Sequence, residues 1–174
     1  MSSTLENEIV RHWVWETRYR LFEESVPRIK KCLDQLTEQE VWHRPNGNLS
    51  SIGNLILHLN GNVTQYLVHG IGGAPDHRKR EAEFQADNSH TKSELASLLD
   101  DLEESVVEAL EKLEASDLVR LYDIQGFSLT GIGVLTHAIE HFSYHTGQIT
   151  WYTKMLKNVD LQYYGDQDLS ITNK

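Results

Sequence analysis

Apolar side chains recur at spacings of three and four residues in four separate segments of the chain, which is the pattern of amphipathic helices. The predicted segments span about residues 15–36, 50–70, 91–113 and 130–156. Pro27 predicts a kink in the first segment, because proline removes a backbone donor. Since no convincing sheet pattern accompanies these segments, the sequence predicts an all-α fold, a four-helix bundle.

The connections between the predicted helices differ in length. Residues 70–90 form a crossover loop without clear periodicity, which is long for a compact domain and indicates a functional or poorly ordered loop. Arg78 and Arg80 in this loop are interpreted as solvated surface residues, although they could reach an anionic substrate. Gln125 and Gly126 predict the turn of a short hairpin before the last helix. With a polar tail at 157–174, residues 1–174 are expected to form a single domain.

Charge and cysteine content narrow the classes of function. The formal net charge of -10 argues against nucleic-acid binding, because a phosphate backbone would be repelled. Cys32 is the single cysteine, so an intramolecular disulfide is excluded and a cytoplasmic location is expected. The sequence shows neither a signal peptide nor an apolar run long enough to span a membrane, so we expect no membrane partner.

The last predicted helix carries histidines at every fourth residue, in the stretch "THAIEHFSYHTGQI". Residues four apart lie on one face of a helix, so His137 and His141, or His141 and His145, could bind one ion. All three cannot, because His137 and His145 would lie about 12 Å apart at a rise of about 1.5 Å per residue. The first pair with Glu140 forms an HxxEH motif, which supplies two ligands and a carboxylate base in some zinc peptidases.

A third ligand is expected from another helix, and His58 is the best candidate. It begins a polar stripe with Asn62 and Gln65 on a helix rich in Ile and Leu. Buried polar groups need partners, because an unsatisfied one costs about 1 to 3 kcal/mol, and an ion would supply them. The alternative is that these histidines are packing residues satisfied by hydrogen bonds.

Two motifs taken together, "SSIGNLILHLNGN" and "HAIEHFSYHTGQI", resemble the DinB/YfiT-like group of metal-dependent proteins, in its DUF1572-like branch. The resemblance implies a four-helix bundle with a long crossover that holds a divalent ion, zinc or nickel, through His58, His141 and His145. It places His137 one turn outside the metal. Asn62, Glu140 and Gln148 are then candidates to orient the ligands or to line the pocket.

The resemblance also implies an activity. Relatives include enzymes that use a low-molecular-weight thiol, so the expected function is a metal-dependent transferase acting on a small-molecule substrate. A hydrolase using activated water, and a non-enzymatic dimeric module stabilised by metal in a stress response, are the alternatives. The resemblance to this group and the aromatic residues Trp13, Trp15 and Tyr163 predict a homodimer. Tyr163 and Tyr164 could dock on a neighbouring chain.

Overall fold

Helices make up nearly all of the regular structure in the computed structural model, which describes residues 4–165 and 167–172. In chain order the elements are α1 (Thr4–Arg18), a first π-helical segment (Tyr19–Ser25), α2 (Val26–Gln35), α3 (Glu38–Trp42), α4 (Ile52–Val63), a second π-helical segment (Thr64–Ile71), α5 (Arg80–Gln85), α6 (Lys92–Leu110), α7 (Ala115–Val119), β1 (Leu121–Ile124), β2 (Phe127–Thr130) and α8 (Gly131–Lys157). Each π-helical segment continues the helix before it. The predicted all-α four-helix bundle is confirmed.

Capping side chains fix where the helices begin. Thr37, Ser51 and Thr91 each accept a hydrogen bond from the backbone three residues on, and the third residue bonds back to the cap. Thr130 caps α8 in the same way, without the return bond. A cap of this kind satisfies backbone N–H groups that the first helical turn leaves free. The helix starts predicted near residues 50, 91 and 130 are therefore confirmed, with Ser51, Thr91 and Thr130 as the N-caps.

The irregularity expected at Pro27 takes the form of the first π-helical segment, which ends two residues before the proline. Pro27 has no N–H for the carbonyl four residues earlier, so a regular α-helical ladder is interrupted here. The Ser25 hydroxyl donates to the Arg20 carbonyl at 2.8 Å. The wider turn thus provides the change in helix geometry that the proline requires.

The core lies between the four long helical stretches, and most of the apolar residues predicted to face it are buried, although Trp15 and Tyr19 of the first segment are exposed. α4 packs against both α6 and α8, and α2 packs against α8 and α6. The predicted stripe of α6 is buried throughout: Leu95, Leu99, Leu102, Val106 and Leu110. Within the described residues, no helix combines the length and the apolar character needed to cross a membrane.

The short hairpin before α8 is confirmed. β1 and β2 pair antiparallel around Gln125 and Gly126, both of which adopt positive φ, 54° and 81°. The hairpin also explains why the helix predicted to stop at Gly70 runs on to Ile71. A Cβ at Gly70 would collide with the side chain of Ile124, so this glycine serves the packing of the hairpin and does not end the helix.

The crossover segment, residues 72–91, is folded against α4 rather than free. Its short helix α5 packs on α4, which the sequence did not predict. The buried Asn54 donates to the backbone carbonyls of Glu83 and Ala86, at 2.9 and 2.8 Å, and Arg44 donates to that of Phe84 at 2.7 Å. These bonds hold α5 directly over the polar stripe of α4.

Tyr163 in the C-terminal tail packs on its own chain. Its hydroxyl lies 2.8 Å from the Thr150 hydroxyl and 3.3 Å from Cys32 Sγ, and burial raises its pKa. Tyr163 therefore does not support the expected homodimer as the sequence suggested. Trp15 is 56% exposed and Trp13 is half-buried, and the dimer stays a prediction.

Candidate metal centre

His58 on α4 meets His141 and His145 on α8, where these two helices pack together. One ring nitrogen from each of the three lies within 4.8 Å of the other two. His58 Nε2 and His141 Nε2 are 2.9 Å apart. His58 is buried, and the two α8 histidines are half-buried. The histidines that the sequence singled out from separate motifs are thus brought to one point, where their ring nitrogens converge.

Glu83 from the crossover segment fixes the orientation of the His58 ring. Its Oε2 lies 2.9 Å from His58 Nδ1, so the carboxylate accepts the Nδ1 proton and leaves Nε2 with a lone pair facing His141. A carboxylate behind a histidine ligand selects the tautomer and raises the basicity of the ligating nitrogen. Gly61 makes room for this contact, because a Cβ there would overlap the Glu83 carboxylate.

Arg78 in turn holds Glu83. Its Nε and Nη2 donate to the two carboxylate oxygens at 2.7 and 2.8 Å, and Nη1 donates to Gln65 Oε1 at 2.9 Å. Burial alone would raise the pKa of Glu83, but the hydrogen bonds from Arg78 and His58 outweigh burial and lower it. The Arg78 side chain is only 4% exposed. Its interpretation as a solvated surface residue was therefore wrong, because the loop folds back and buries it.

His145 is oriented by Gln148, three residues further along α8. Gln148 Oε1 accepts from His145 Nδ1 at 2.7 Å, which leaves Nε2 as the free ring nitrogen. Burial lowers the pKa of His145, although the bond to Gln148 opposes the effect. At neutral pH the histidine therefore offers an uncharged imidazole, which is the form that binds a metal.

The pKa of His141 is lowered to about 3, first by burial and then by repulsion from His145, His58, His137 and Arg78. A histidine of this kind binds a proton more readily in the unfolded chain, where its pKa is near 6.5. The free energy of unfolding of the metal-free protein should therefore fall as the pH drops below 6.5 toward about 3. Urea denaturation across this range measures it, and His141→Asn should show a shallower dependence. An identical pH dependence in the variant would contradict the assignment.

The remaining candidates lie at different distances from this cluster. The His137 ring stacks on Tyr66, with centroids 4.1 Å apart, and its Nε2 is 3.5 Å from Asn62 Nδ2. Asn62 is buried, and its Oδ1 has no hydrogen-bond partner among the described residues. Glu140 is exposed and, in the described part of the chain, forms no hydrogen bond or ion pair. The geometry thus favours the His141–His145 pair over the HxxEH pair.

Sequence reasoning missed Glu83 and Phe84 and misassigned Arg78, and all three lie in the crossover segment. The Phe84 ring covers His58, with ring centroids 4.7 Å apart. The available signal was weak: an isolated phenylalanine in a polar stretch indicates a buried contact, but it does not say against which element.

The model of one protein family, DUF1572, described as a protein of unknown function, matches residues 8–171. The chain belongs to the DUF1572 family. The bundle of this DUF1572 protein is also similar to two solved structures of DinB-like proteins. For that of Bacillus subtilis the TM-score is 0.62 at 20% identity, covering 82% of this chain and 93% of the other. For that of Bacillus cereus it is 0.61 at 18% identity, covering 78% and 87%. No curated protein matches the chain.

The donor set of this DUF1572 protein fits a divalent transition metal. Three imidazoles suit zinc, nickel and similar ions, whereas magnesium and calcium prefer oxygen ligands. Nitrogens around a tetrahedral ion with bonds of about 2.0 to 2.1 Å are separated by roughly 3.3 Å. Small side-chain adjustments would bring the three nitrogens, now within 4.8 Å of one another, to that separation.

Proposed function

We propose that this DUF1572 protein binds one divalent transition metal, zinc or nickel, through His58, His141 and His145, and uses it in the transfer of a small-molecule group with a low-molecular-weight thiol. The observation that carries the metal site is the convergence of three imidazole nitrogens, one of them backed by the buried Glu83–Arg78 pair. A carboxylate oriented behind a histidine is typical of a metal ligand.

The reactive character of the proposed site follows from its charge. A divalent ion held by three neutral imidazoles keeps an open coordination position and lowers the pKa of a thiol or water placed there. Glu83 lies behind His58 and is bonded to Arg78, so it is not positioned as a further ligand. Phe84 covers His58 and shields it from solvent. The chain thus supplies the ligands, their orientation and partial exclusion of water.

Cys32 does not take the place of the proposed thiol substrate. This cysteine is buried and bonded to Tyr163, so it does not serve as a nucleophile at the histidine cluster. An external thiol would have to provide the sulfur. The alternative functions are a hydrolase that uses activated water and a metal clamp that stabilises a dimer in a stress response, and the test below separates the clamp from a reactive metal site.

Protein reconstituted with cobalt should contain about one ion per chain and should bind a small thiol, such as 2-mercaptoethanol, directly at the ion. Soft thiolate displaces water from a borderline ion, so a sulfur-to-cobalt charge-transfer band should appear in the absorption spectrum. His58→Ala, with an incomplete site, is the control and should show no band. No metal uptake would refute the site itself. Metal uptake without a band, together with a large fall in melting temperature on chelation, would instead support the clamp.

A further inference from the structure

A pocket of about 530 Å³ adjoins the histidine cluster and has His145 in its wall. It lies between α8, the residues that lead into α4, and Phe84 of the crossover segment. Its volume falls within the roughly 300 to 1,000 Å³ of small-molecule sites. Since His145 and its partner Gln148 both line it, a ligand in this pocket would lie next to the proposed metal.

The wall of the pocket carries no formal charge. None of the described residues that line it is Asp, Glu, Lys or Arg, although 24% of the chain is charged and the net charge is -10. Arg80 lies over the Phe84 ring, with its Cζ 4.9 Å from the ring centroid, but does not line the pocket. In the metal-free protein, an anionic ligand entering here would lose hydration without gaining a cation, which is unfavourable.

Exposed aromatic side chains line the pocket. Trp151 is 67% exposed and Tyr144 is 62% exposed, and both stand at the pocket with Phe84. Large apolar side chains that are grouped on a surface often mark a binding site, whereas single exposed ones do not. The Tyr152 hydroxyl is already bonded to His43 Nδ1 at 2.7 Å. Gln148 Oε1 is taken by His145, which leaves its amide N–H groups as donors to a ligand.

We propose that this pocket binds the uncharged aromatic portion of a small molecule, whose polar group reaches the metal beside His145. The inference rests on the proposed function and adds the chemical class of the substrate. None of the described residues of the C-terminal tail lines the pocket, and Tyr163 is bonded to Thr150 and Cys32 instead.

The pocket is tested first without metal. 4-Methylphenol, a neutral ring, should shift the indole signal of Trp151 in ¹H–¹⁵N spectra of the metal-free protein, with the signal assigned from Trp151→Phe. Benzoate, an anion of similar size, should bind at least about tenfold more weakly. Equal binding of the two, or a response centred on Trp15 instead of Trp151, would overturn the proposal. The proposal would also be overturned if light scattering gave the mass of two chains and Trp151→Ala reduced it to the mass of one chain, because a second copy would then cover the pocket.

The link to the metal is tested on the cobalt- or zinc-loaded protein with two hydroxamic acids that share a metal-binding group. Benzohydroxamic acid should bind about tenfold more tightly than acetohydroxamic acid, because only the former buries a ring. Trp151→Ala should bring this ratio close to one, while Trp15→Ala, which removes an exposed tryptophan elsewhere, should preserve it. Equal affinities in the unaltered protein would overturn the pocket while leaving the metal site intact. Binding of 4-methylphenol without binding of either hydroxamic acid would mean that the metal proposal alone had failed.

Discussion

His145→Ala is expected to abolish tight metal binding, whereas His137→Ala should change the affinity by less than about tenfold. His145 belongs to the cluster of converging nitrogens, while His137 is stacked on Tyr66 one turn away. If the roughly 10 to 16 kcal/mol of a four-ligand zinc site is shared equally, each ligand contributes about 2.5 to 4 kcal/mol. The loss for His145→Ala is then roughly 70- to 900-fold in Kd. Competition with a chromophoric chelator at neutral pH measures both values.

The pair of variants is matched, because both remove an imidazole from the same face of α8. His137→Ala should lower thermal stability through the lost stacking with Tyr66, so melting temperature and metal affinity should respond separately. Circular dichroism of each metal-free variant establishes that it is folded. If instead His137→Ala lost the metal and His145→Ala kept it, the HxxEH pairing with Glu140 would be the correct interpretation.

The features that the sequence predicted correctly depend on rules that act over a few residues. The N-terminal caps at Ser51, Thr91 and Thr130 require a side chain only three residues from its partner. The helix that carries His141 and His145 follows from its apolar period, and their common face follows from their spacing of four. That His58 meets them could be expected once two polar stripes had to be buried in one bundle. These arguments need no knowledge of the loops.

Glu83 and Arg78 could not be predicted in the same way. Glu83 lies 25 residues from His58, and Arg78 lies 20 residues from it, in a segment without periodicity. A histidine ligand needs a hydrogen-bond acceptor behind its second nitrogen, but a carboxylate, a carbonyl or water would serve. This requirement therefore does not identify a particular residue in the sequence. The contact depends on Asn54 holding the backbone of α5 against α4, which is a tertiary interaction.

Glu83→Gln is expected to weaken metal binding by about 10- to 100-fold, as is usual when the partner behind a histidine ligand is altered. Gln keeps the shape of Glu but loses the charge that makes His58 Nε2 more basic. It also presents an amide N–H to Arg78, which can only donate, so one of the two bonds at 2.7 and 2.8 Å is lost. The dissociation constant by chelator competition is the measurement, and it does not depend on any enzymatic activity.

Two further variants show whether the effect belongs to the contact with His58. Glu81→Gln removes the same charge from an exposed position on the same short helix, so it should leave the affinity unchanged within about twofold. Gly61→Ala leaves Glu83 intact but puts a methyl group where its carboxylate lies, and should weaken binding in the same direction as Glu83→Gln. Because the carboxylate is at the end of a flexible side chain, it can move aside, and the bundle should still fold. If Glu83→Gln and Glu81→Gln bound metal equally well, the crossover segment would be a cover for His58 and not a support for its role as a ligand.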